Sequence, residues 1–417
     1  MTIDCDVAVV GGGPAGSAAA ITLARGGRDV VLVDKATFPR DKCCGDGLTT
    51  AALRHLEALG LQPDDVASWQ PVTLAVIRSP SGRTAELPLP TGPGAGTYAA
   101  VARRADLDAA LLDVARAEGV KVHDGHALSG ITVPAGEQIV RLDVKGLGPV
   151  RARYVIGADG MWSPVRKALL GGAGEPEGYL GEWHAFRQYF RGGGPEARRA
   201  LWVWFEEDLL PGYLWSFPLP DGRLNVGYGV QRGSKRAPEP LGKRMSQLWP
   251  ELLARPHIRA VLGEAAEPEA PHKAWPIPAR IERTTLAAAG GRALFVGDAA
   301  RATDPMTGEG IGQALESGIL AAEAISAAGA LQPWVAQQRY EEAVRRTISL
   351  DNRLAGLLSA RGVAHRKGIR AAVRLAGATP WTRRCFGRWL FEDESRAALA
   401  TPARWHRRFL RRPGAYR

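Results

Sequence analysis

The chain has 417 residues, 45% of them hydrophobic and 23% charged, and a net charge of +11. That length supports two or three domains with real cores, and the composition is that of a globular protein, not of a disordered or collagen-like one. Four cysteines, Cys5, Cys43, Cys44 and Cys385, show neither zinc-like nor Cys-x-x-Cys spacing, so no metal site is expected and a reducing, cytoplasmic setting is the simplest. Asp4 and Asp6 precede the first apolar run, the reverse of the basic front of a secretory leader. The apolar stretch 7–24 is divided by glycines and Pro14, which makes it a poor membrane span.

In chain order, residues 6–10 read as a strand and Gly11-Gly12-Gly13-Pro14-Ala15-Gly16 as a loop opening a helix that runs to about residue 25. Gly26-Gly27 then stops the helix, and 30–34 form a second strand. This is a strand–helix–strand opening with a dinucleotide fingerprint. Gly11 permits the tight turn, Gly13 lets backbone approach a pyrophosphate, and Gly16 lets helix and strand pack closely. The pyrophosphate would sit on the helix N-terminus, where free N–H groups favour anions. Asp34, at the end of the second strand, is placed to bind ribose hydroxyls and disfavours a 2′-phosphate, which argues against NADP there. A loop at 39–47 leads to a helix near 50–59, and 71–97 hold short extended pieces broken by Pro and Gly, an excursion from the first domain. Residues 104–117 form an amphipathic helix with Leu107, Leu111, Leu112 and Ala115 on one side. Strands at 140–144 and 151–156 end at Gly157-Ala158-Asp159-Gly160.

The middle is β-rich, with strands at 201–205, 213–218 and 223–230 and turn signals at Pro211-Gly212 and Asp221-Gly222. Alternation places Tyr213, Trp215 and Phe217 on one face, an uncharged aromatic wall suited to an apolar, chain-like substrate. Trp202 and Trp204 are expected to extend it from the preceding strand; the alternative is that these aromatics form the core of a second domain. Residues 268–278 are a proline-rich return path, and 293–296 a short buried strand leading into Gly297-Asp298. Ile311, Leu315, Ile319, Ala322 and Ile325 then follow helical spacing, and the chain reads as mostly helical from about residue 333. Residues 361–417 carry 15 Lys+Arg against 3 Asp+Glu, a net +12, so the preceding 360 residues sum to −1. Trp381, Phe386, Trp389, Phe391, Trp405 and Phe409 are interleaved with those arginines. Two readings stand: a solvated basic tail, or a peripheral contact with anionic lipid at the inner face of the membrane. No nucleic-acid module is present, and no nucleic-acid partner is expected.

The run Phe295-Val296-Gly297-Asp298-Ala299-Ala300, with Pro305 and Gly308-Glu309-Gly310-Ile311, decides which dinucleotide is meant. Here the chain resembles the FAD-dependent oxidoreductases of the p-hydroxybenzoate hydroxylase fold, and among them the geranylgeranyl reductase family, over nearly all of the chain to about residue 330. The resemblance implies an α/β fold: a Rossmann-type FAD-binding domain, an inserted antiparallel β-sheet substrate domain and a helical C-terminal region. The expected division is 1–70, 98–175 and 276–330 for FAD, 71–97 and 176–275 for substrate, and 331–417 for the basic helical region. By resemblance, Asp298 would bind the ribityl chain. The helix opening at Gly308, Gly310 and Ile311 would face the flavin's pyrimidine edge, where a helix N-terminus stabilises negative charge. Asp159 would lie near the pyrophosphate with Arg166 bracing its loop, and Arg104 would contact the cofactor, with adjacent Arg103 as the alternative. Lys35 follows Asp34 as a further cofactor residue.

Two segments point to the branch. Phe38-Pro39-Arg40-Asp41-Lys42-Cys43-Cys44-Gly45-Asp46-Gly47-Leu48 is similar to the family's Lys-x-Cys-Gly segment, departing from it at Cys43, where proline is often found. Arg40 would contact FAD, and Cys44-Gly45 would border the isoalloxazine, with Cys44 the one candidate catalytic group; the alternative for Cys44 is a small buried filler. Tyr213-Leu214-Trp215-Ser216-Phe217-Pro218 with Asn225-Val226-Gly227 is similar to a signature of isoprenoid-reducing relatives. The implied activity is reduction of C=C bonds in a polyprenyl chain on a lipid or quinone, the flavin being recharged by NAD(P)H or a protein donor. The alternative is a monooxygenase of an aromatic or terpenoid metabolite. A flavin-dependent halogenase ranks lower, because Leu201-Trp202-Val203-Trp204-Phe205-Glu206 only partly imitates the motif of that group. A FAD-binding carrier without catalysis is the reading from another class.

Overall fold

A computed structural model describes residues 2–134, 137–171, 178–233, 241–391, 394–395 and 411–417. Its first sheet runs in the order Ala287–Ala288, Ala293–Phe295, Gly148–Gly157, Ile3–Val10, Val30–Asp34, Lys121–Asp124. The four pairings from Ala293–Phe295 to Lys121–Asp124 are parallel, and that of Ala287–Ala288 with Ala293–Phe295 is antiparallel. The strand Val30–Asp34 is buried at every residue, and Ile3–Val10 is buried over its last four. Helix Pro14–Arg25 packs on these strands, and Ile131, Val140 and Leu142 of the branching strands Leu128–Thr132 and Val140–Val144 share their core. Strands of a covered parallel sheet are continuous apolar runs. The helices Pro14–Arg25 and Ile311–Ala328 pack against each other through small residues. A Cβ on Gly318 would overlap the Ala15 carbonyl, so glycine there sets how closely the two helices approach.

The second sheet has the order Glu267–Pro268, Trp183–Arg191, Leu224–Gln231, Tyr213–Pro218, Leu201–Trp204, Leu74–Arg78, Thr84–Pro88, with Lys273–Ile277 also on Trp183–Arg191. Its pairings are antiparallel except that of Leu201–Trp204 with Leu74–Arg78, which is parallel because those strands come from separate excursions of the chain. One face packs on Leu241–Leu253 and Pro256–Leu262, closing a core that contains Phe186, Tyr228 and Trp249. Beyond the other face lie Arg366–Ala376 and Pro380–Leu390, which bury Ile369 and Val373 with Leu87, Leu89 and Leu201. The tail aromatics Trp405 and Phe409 lie outside the described residues.

Candidate cofactor and substrate cavity

Between the two sheets lies a cavity of about 900 Å³, bounded by the glycine loop, the Gly297–Ile311 segment, the aromatic strand and the C-terminal helices. At one end the chain offers main-chain N–H groups and cations. Helix Pro14–Arg25 has no side-chain cap on its N-terminus, which leaves that end open to an anion. Gly11 has φ +110, and a Cβ there would run into the Ala158 carbonyl; one on Gly16 would overlap the Gly11 carbonyl. Gly16 therefore packs helix on strand and does not line the cavity, whereas Gly11, Gly13, Pro14 and Ala15 do.

Two guanidiniums converge on Gly13, where a Cβ would stand 3.4 Å from Arg40 and 3.7 Å from Arg104. Arg104 is buried and holds Asp108 through two 2.7 Å bonds. Arg40 stacks on Phe38 and reaches 3.1 Å from Asp108, yet its Nη1 is buried with no well-formed hydrogen bond. Arg103 turns away to stack on Tyr189 and face Glu269, so of the adjacent pair it is Arg104 that meets the cavity. Asp34 lines the cavity while accepting from the N–H groups of Gly12 (2.7 Å) and Ala36 (2.8 Å), which fixes the strand-end turn; Lys35 lines it beside Asp34.

Asp159 accepts from Val165 N–H at 2.9 Å, and its Oδ1 is buried without a hydrogen-bond partner. Burial pushes its carboxyl up to about 6 against the bonds from Ser163 and Val165. Arg166 donates from its side chain to the Thr285 carbonyl at 2.6 Å and lies over the Phe295 ring, while its main-chain N–H, donating to Ser163 Oγ at 3.0 Å, ties it to this loop. Across the cavity, burial resists ionisation of Asp298, but Lys42 at 2.8 Å, with Arg104 and Thr303, outweighs it and holds the carboxyl below its usual range. Gly308, Gly310 and Ile311 bring the N-terminus of helix Ile311–Ala328 to the wall, where Glu309 caps the Gly312 N–H at 2.8 Å. Pro305 lies behind the wall, its carbonyl accepting from Trp183 Nε1, and does not line the cavity. These residues fit FAD. The glycine cradle excludes side chains, two cations stand at the helix end, and buried Arg40 and Asp159 atoms have hydrogen-bonding capacity to spare.

The other end is apolar. Tyr213, Trp215 and Phe217 line it from one strand, with ring centroids 6.0 and 6.2 Å apart. Tyr213 donates to the Thr307 carbonyl, and Trp215 Nε1 to Asn225 Oδ1 at 3.0 Å, so the polar tips are satisfied inside the protein. The neighbouring strand adds Leu201, Val203 and Phe205, not the expected tryptophans. Trp202 pairs with Ser216 and Trp204 with Leu214. Directly opposed residues share a face, and Ser216 and Leu214 face away from the wall. Trp202 and Trp204 accordingly stack on each other at 5.4 Å in the core beneath the sheet. Val363, Ile369, Val373, Phe386, Trp389 and Leu390 close the apolar end.

Cys44 and Gly45 stand where the two ends meet; a Cβ on Gly45 would touch Phe217 and Trp215 at 3.5–3.6 Å. Burial pushes the Cys44 thiol up, Asp46 adding to this and Arg104 opposing it. Sequence reasoning gave no role to Asp46, Asn225 or Lys42. Asp46 is fully buried, at φ +64, and joins Tyr189 and Asn225 by hydrogen bonds of 2.6 and 2.8 Å. The available signal was an acid set between two glycines after two cysteines.

A parallel sheet with a glycine-loop helix at its centre, and a cavity running from that loop to an inserted sheet, defines a flavoprotein oxidoreductase. A model of the FAD binding domain matches residues 4–328. The chain is 34% identical over 376 residues to menaquinone reductase of Mycolicibacterium smegmatis, covering 86% of each. It is 32% identical over 371 residues to digeranylgeranylglycerophospholipid reductase 1 of Methanopyrus kandleri, covering 85% of this chain and 91% of that one. The crystal structure of a geranylgeranyl bacteriochlorophyll reductase-like protein from Thermoplasma acidophilum has the same fold, with a TM-score of 0.78 at 20% identity over 96% of this chain and 98% of that one. The chain belongs to the geranylgeranyl reductase family of FAD-dependent oxidoreductases.

Proposed function

We propose that this enzyme reduces C=C bonds in a polyprenyl chain carried on a quinone or lipid. One observation carries the reading: the FAD cleft opens directly into an uncharged compartment of aromatic and aliphatic side chains, with Cys44-Gly45 at the junction. Bound FAD, once reduced, supplies a hydride to one alkene carbon. The chain's own part is to hold and to exclude. Gly11, Gly13 and the helix N-terminus take the pyrophosphate with Arg40 and Arg104, and Asp34 takes ribose. Asp298 and the Ile311 helix end take the inner half of the cofactor. Tyr213, Trp215 and Phe217 bury the isoprenoid and keep water from the reacting carbon, and NAD(P)H or a protein donor provides the electrons.

The membrane is proposed as the source of substrate. Leu375 and Trp381 are 67% and 66% exposed on the helices that close the apolar end, beside Arg370 and Arg374. Apolar side chains ringed by arginines suit an anionic bilayer surface. Among the described residues no helix is long and apolar enough to cross a membrane. Incubation of photoreduced holoenzyme with polyprenyl quinones and phospholipids under nitrogen tests the reading. A product heavier by H2 per reduced bond is expected, whereas one heavier by an oxygen atom, formed only in air, belongs to a monooxygenase.

A further inference from the structure

Asp46 is a buried acid at the junction of the two ends of the cavity, and neither cofactor holding nor the aromatic wall accounts for it. The glycines on both sides of it touch that wall: a Cβ on Gly45 would meet Trp215 and Phe217, and one on Gly47 would meet Phe217 at 3.0 Å. The backbone at Asp46 is left-handed, a conformation that costs a residue with a Cβ and suits glycine. An acid is nevertheless placed there. Its Oδ2 accepts from Tyr189 Oη at 2.6 Å and from Asn225 Nδ2 at 2.8 Å, while Oδ1 is buried with no partner. Asn225 also ties this carboxyl to the wall and the loop, accepting from Trp215 Nε1 and donating to the Cys44 carbonyl.

The charged and titratable groups around it come from three directions. Tyr189 and Arg187 stand on the strand Trp183–Arg191, Arg187 stacked on the Tyr189 ring and paired with Asp41 at 2.8 Å. Arg104 approaches from its helix, already committed to Asp108, and the thiols of Cys43 and Cys44 lie on the same loop. Burial outweighs all of these and pushes the Asp46 carboxyl up to about 6, with Tyr189, Arg187, Asn225 and Arg104 opposing. Burial pushes the neighbouring thiols up as well, that of Cys43 to about 12. Burial also resists ionisation of Asp41, but Lys273 and Arg187 outweigh it and hold that carboxyl below the usual range. Asp46, rather than either thiol or Asp41, is therefore the acid of this loop that can hold a proton and still release it near neutral pH. Neutral, it carries its proton on the oxygen that no protein group holds; ionised, it is left with two hydrogen bonds to stabilise the charge.

We propose that Asp46 is the proton source for double-bond reduction. The proposal rests on the polyprenyl reading above. The carboxyl O–H bond breaks, its proton forms the C–H bond at the alkene carbon that does not receive the cofactor's hydride, and solvent then reprotonates the carboxylate. Electrons balance, because the hydride pair reduces the alkene and the proton transfer is redox-neutral.

The test uses holoenzyme and D46N, which preserves shape and the bonds to Tyr189 and Asn225. Flavin content should be unchanged, single-turnover alkene reduction should fall by about 10²–10⁴-fold, and the wild-type decline in rate above about pH 6 should vanish. Wild-type rate and pH profile in D46N would overturn the proposal. Where D46N does not fold, Y189F decides. It removes a hydrogen bond to the charged form, so the alkaline limb should move to higher pH, and an unmoved limb counts against Asp46. Infrared titration supplies a readout independent of substrate: a protonated-carboxyl band lost near pH 6 and missing in D46N is expected, and its absence from wild type at every pH refutes a neutral Asp46. Wild type that shows the band yet reduces no polyprenyl substrate would sink the proposed function instead.

Discussion

The two ends of the cavity are built by opposite means. At the cofactor end the contacts are main-chain groups and a few fixed charges, and what matters at Gly11 and Gly16 is that no side chain is present. At the apolar end the contacts are side chains, and what matters is which face of a strand each one takes. Fixed spacing announces the first kind of site in a sequence, because backbone geometry allows few alternatives. The second depends on strand pairing, where a shift of one residue exchanges wall for core.

The largest effect expected from this contrast is at the glycine loop. G11V should purify without flavin absorbance while its far-ultraviolet dichroism keeps the mixed α/β signature, since the branched side chain meets the Ala158 carbonyl in the space of the cradle. Flavin retained at wild-type stoichiometry would show that the cofactor end tolerates a side chain at Gly11. Next come the two faces of the substrate sheet. W204A should lose about 3–5 kcal/mol of stability, read from denaturant midpoints, with KM for substrate nearly unchanged, because Trp204 is fully buried beneath the sheet. F217A should do the reverse, raising KM about tenfold for about 1.4 kcal/mol of lost binding. Equal effects of the two on KM would mean that the sheet's faces are assigned wrongly.

A smaller effect comes from the buried acid at the junction. Burial raises the Asp46 carboxyl to about 6, above the ordinary aspartate value of 3.8. Between those limits the folded protein therefore binds the proton more tightly, and this contribution to stability is present at low pH and lost as pH rises through about 6. D46N should remove that slope and gain up to about 3 kcal/mol over wild type near pH 7, measured by unfolding at acid and neutral pH. A parallel pair of stability curves would show that Asp46 stays charged throughout. The smallest effect is at the rim: L375S and W381S should each weaken sedimentation with anionic vesicles by about threefold to tenfold, leaving flavin content unchanged.

Much of the cofactor end was legible. The ranges 14–25, 30–34, 104–117 and 140–144 match the observed elements, because small-residue and apolar periodicity there coincide with burial on one side or on both. The strand Trp183–Arg191 was not legible. It is central and buried on both faces, so it lacks alternation, and its polar Arg187 and Gln188 are buried by partners distant in sequence: Asp41 and Lys42 for the first, Ala270 and Trp249 for the second. Trp202 and Trp204 were placed on the wrong face because no local signal reveals that they pair with Ser216 and Leu214. Asp46 escaped notice for a related reason. Its neighbours Tyr189 and Asn225 lie 143 and 179 residues away, and only the folded chain turns a loop aspartate into a buried acid.

The most direct measurement follows the flavin spectrum and the product mass together, when photoreduced holoenzyme meets a polyprenyl quinone in the absence of oxygen. Flavin reoxidised by the quinone, with product gaining H2 at each reduced bond, is the expected result. Flavin that stays reduced until air is admitted, with product gaining oxygen, would contradict reduction as the chemistry of this site.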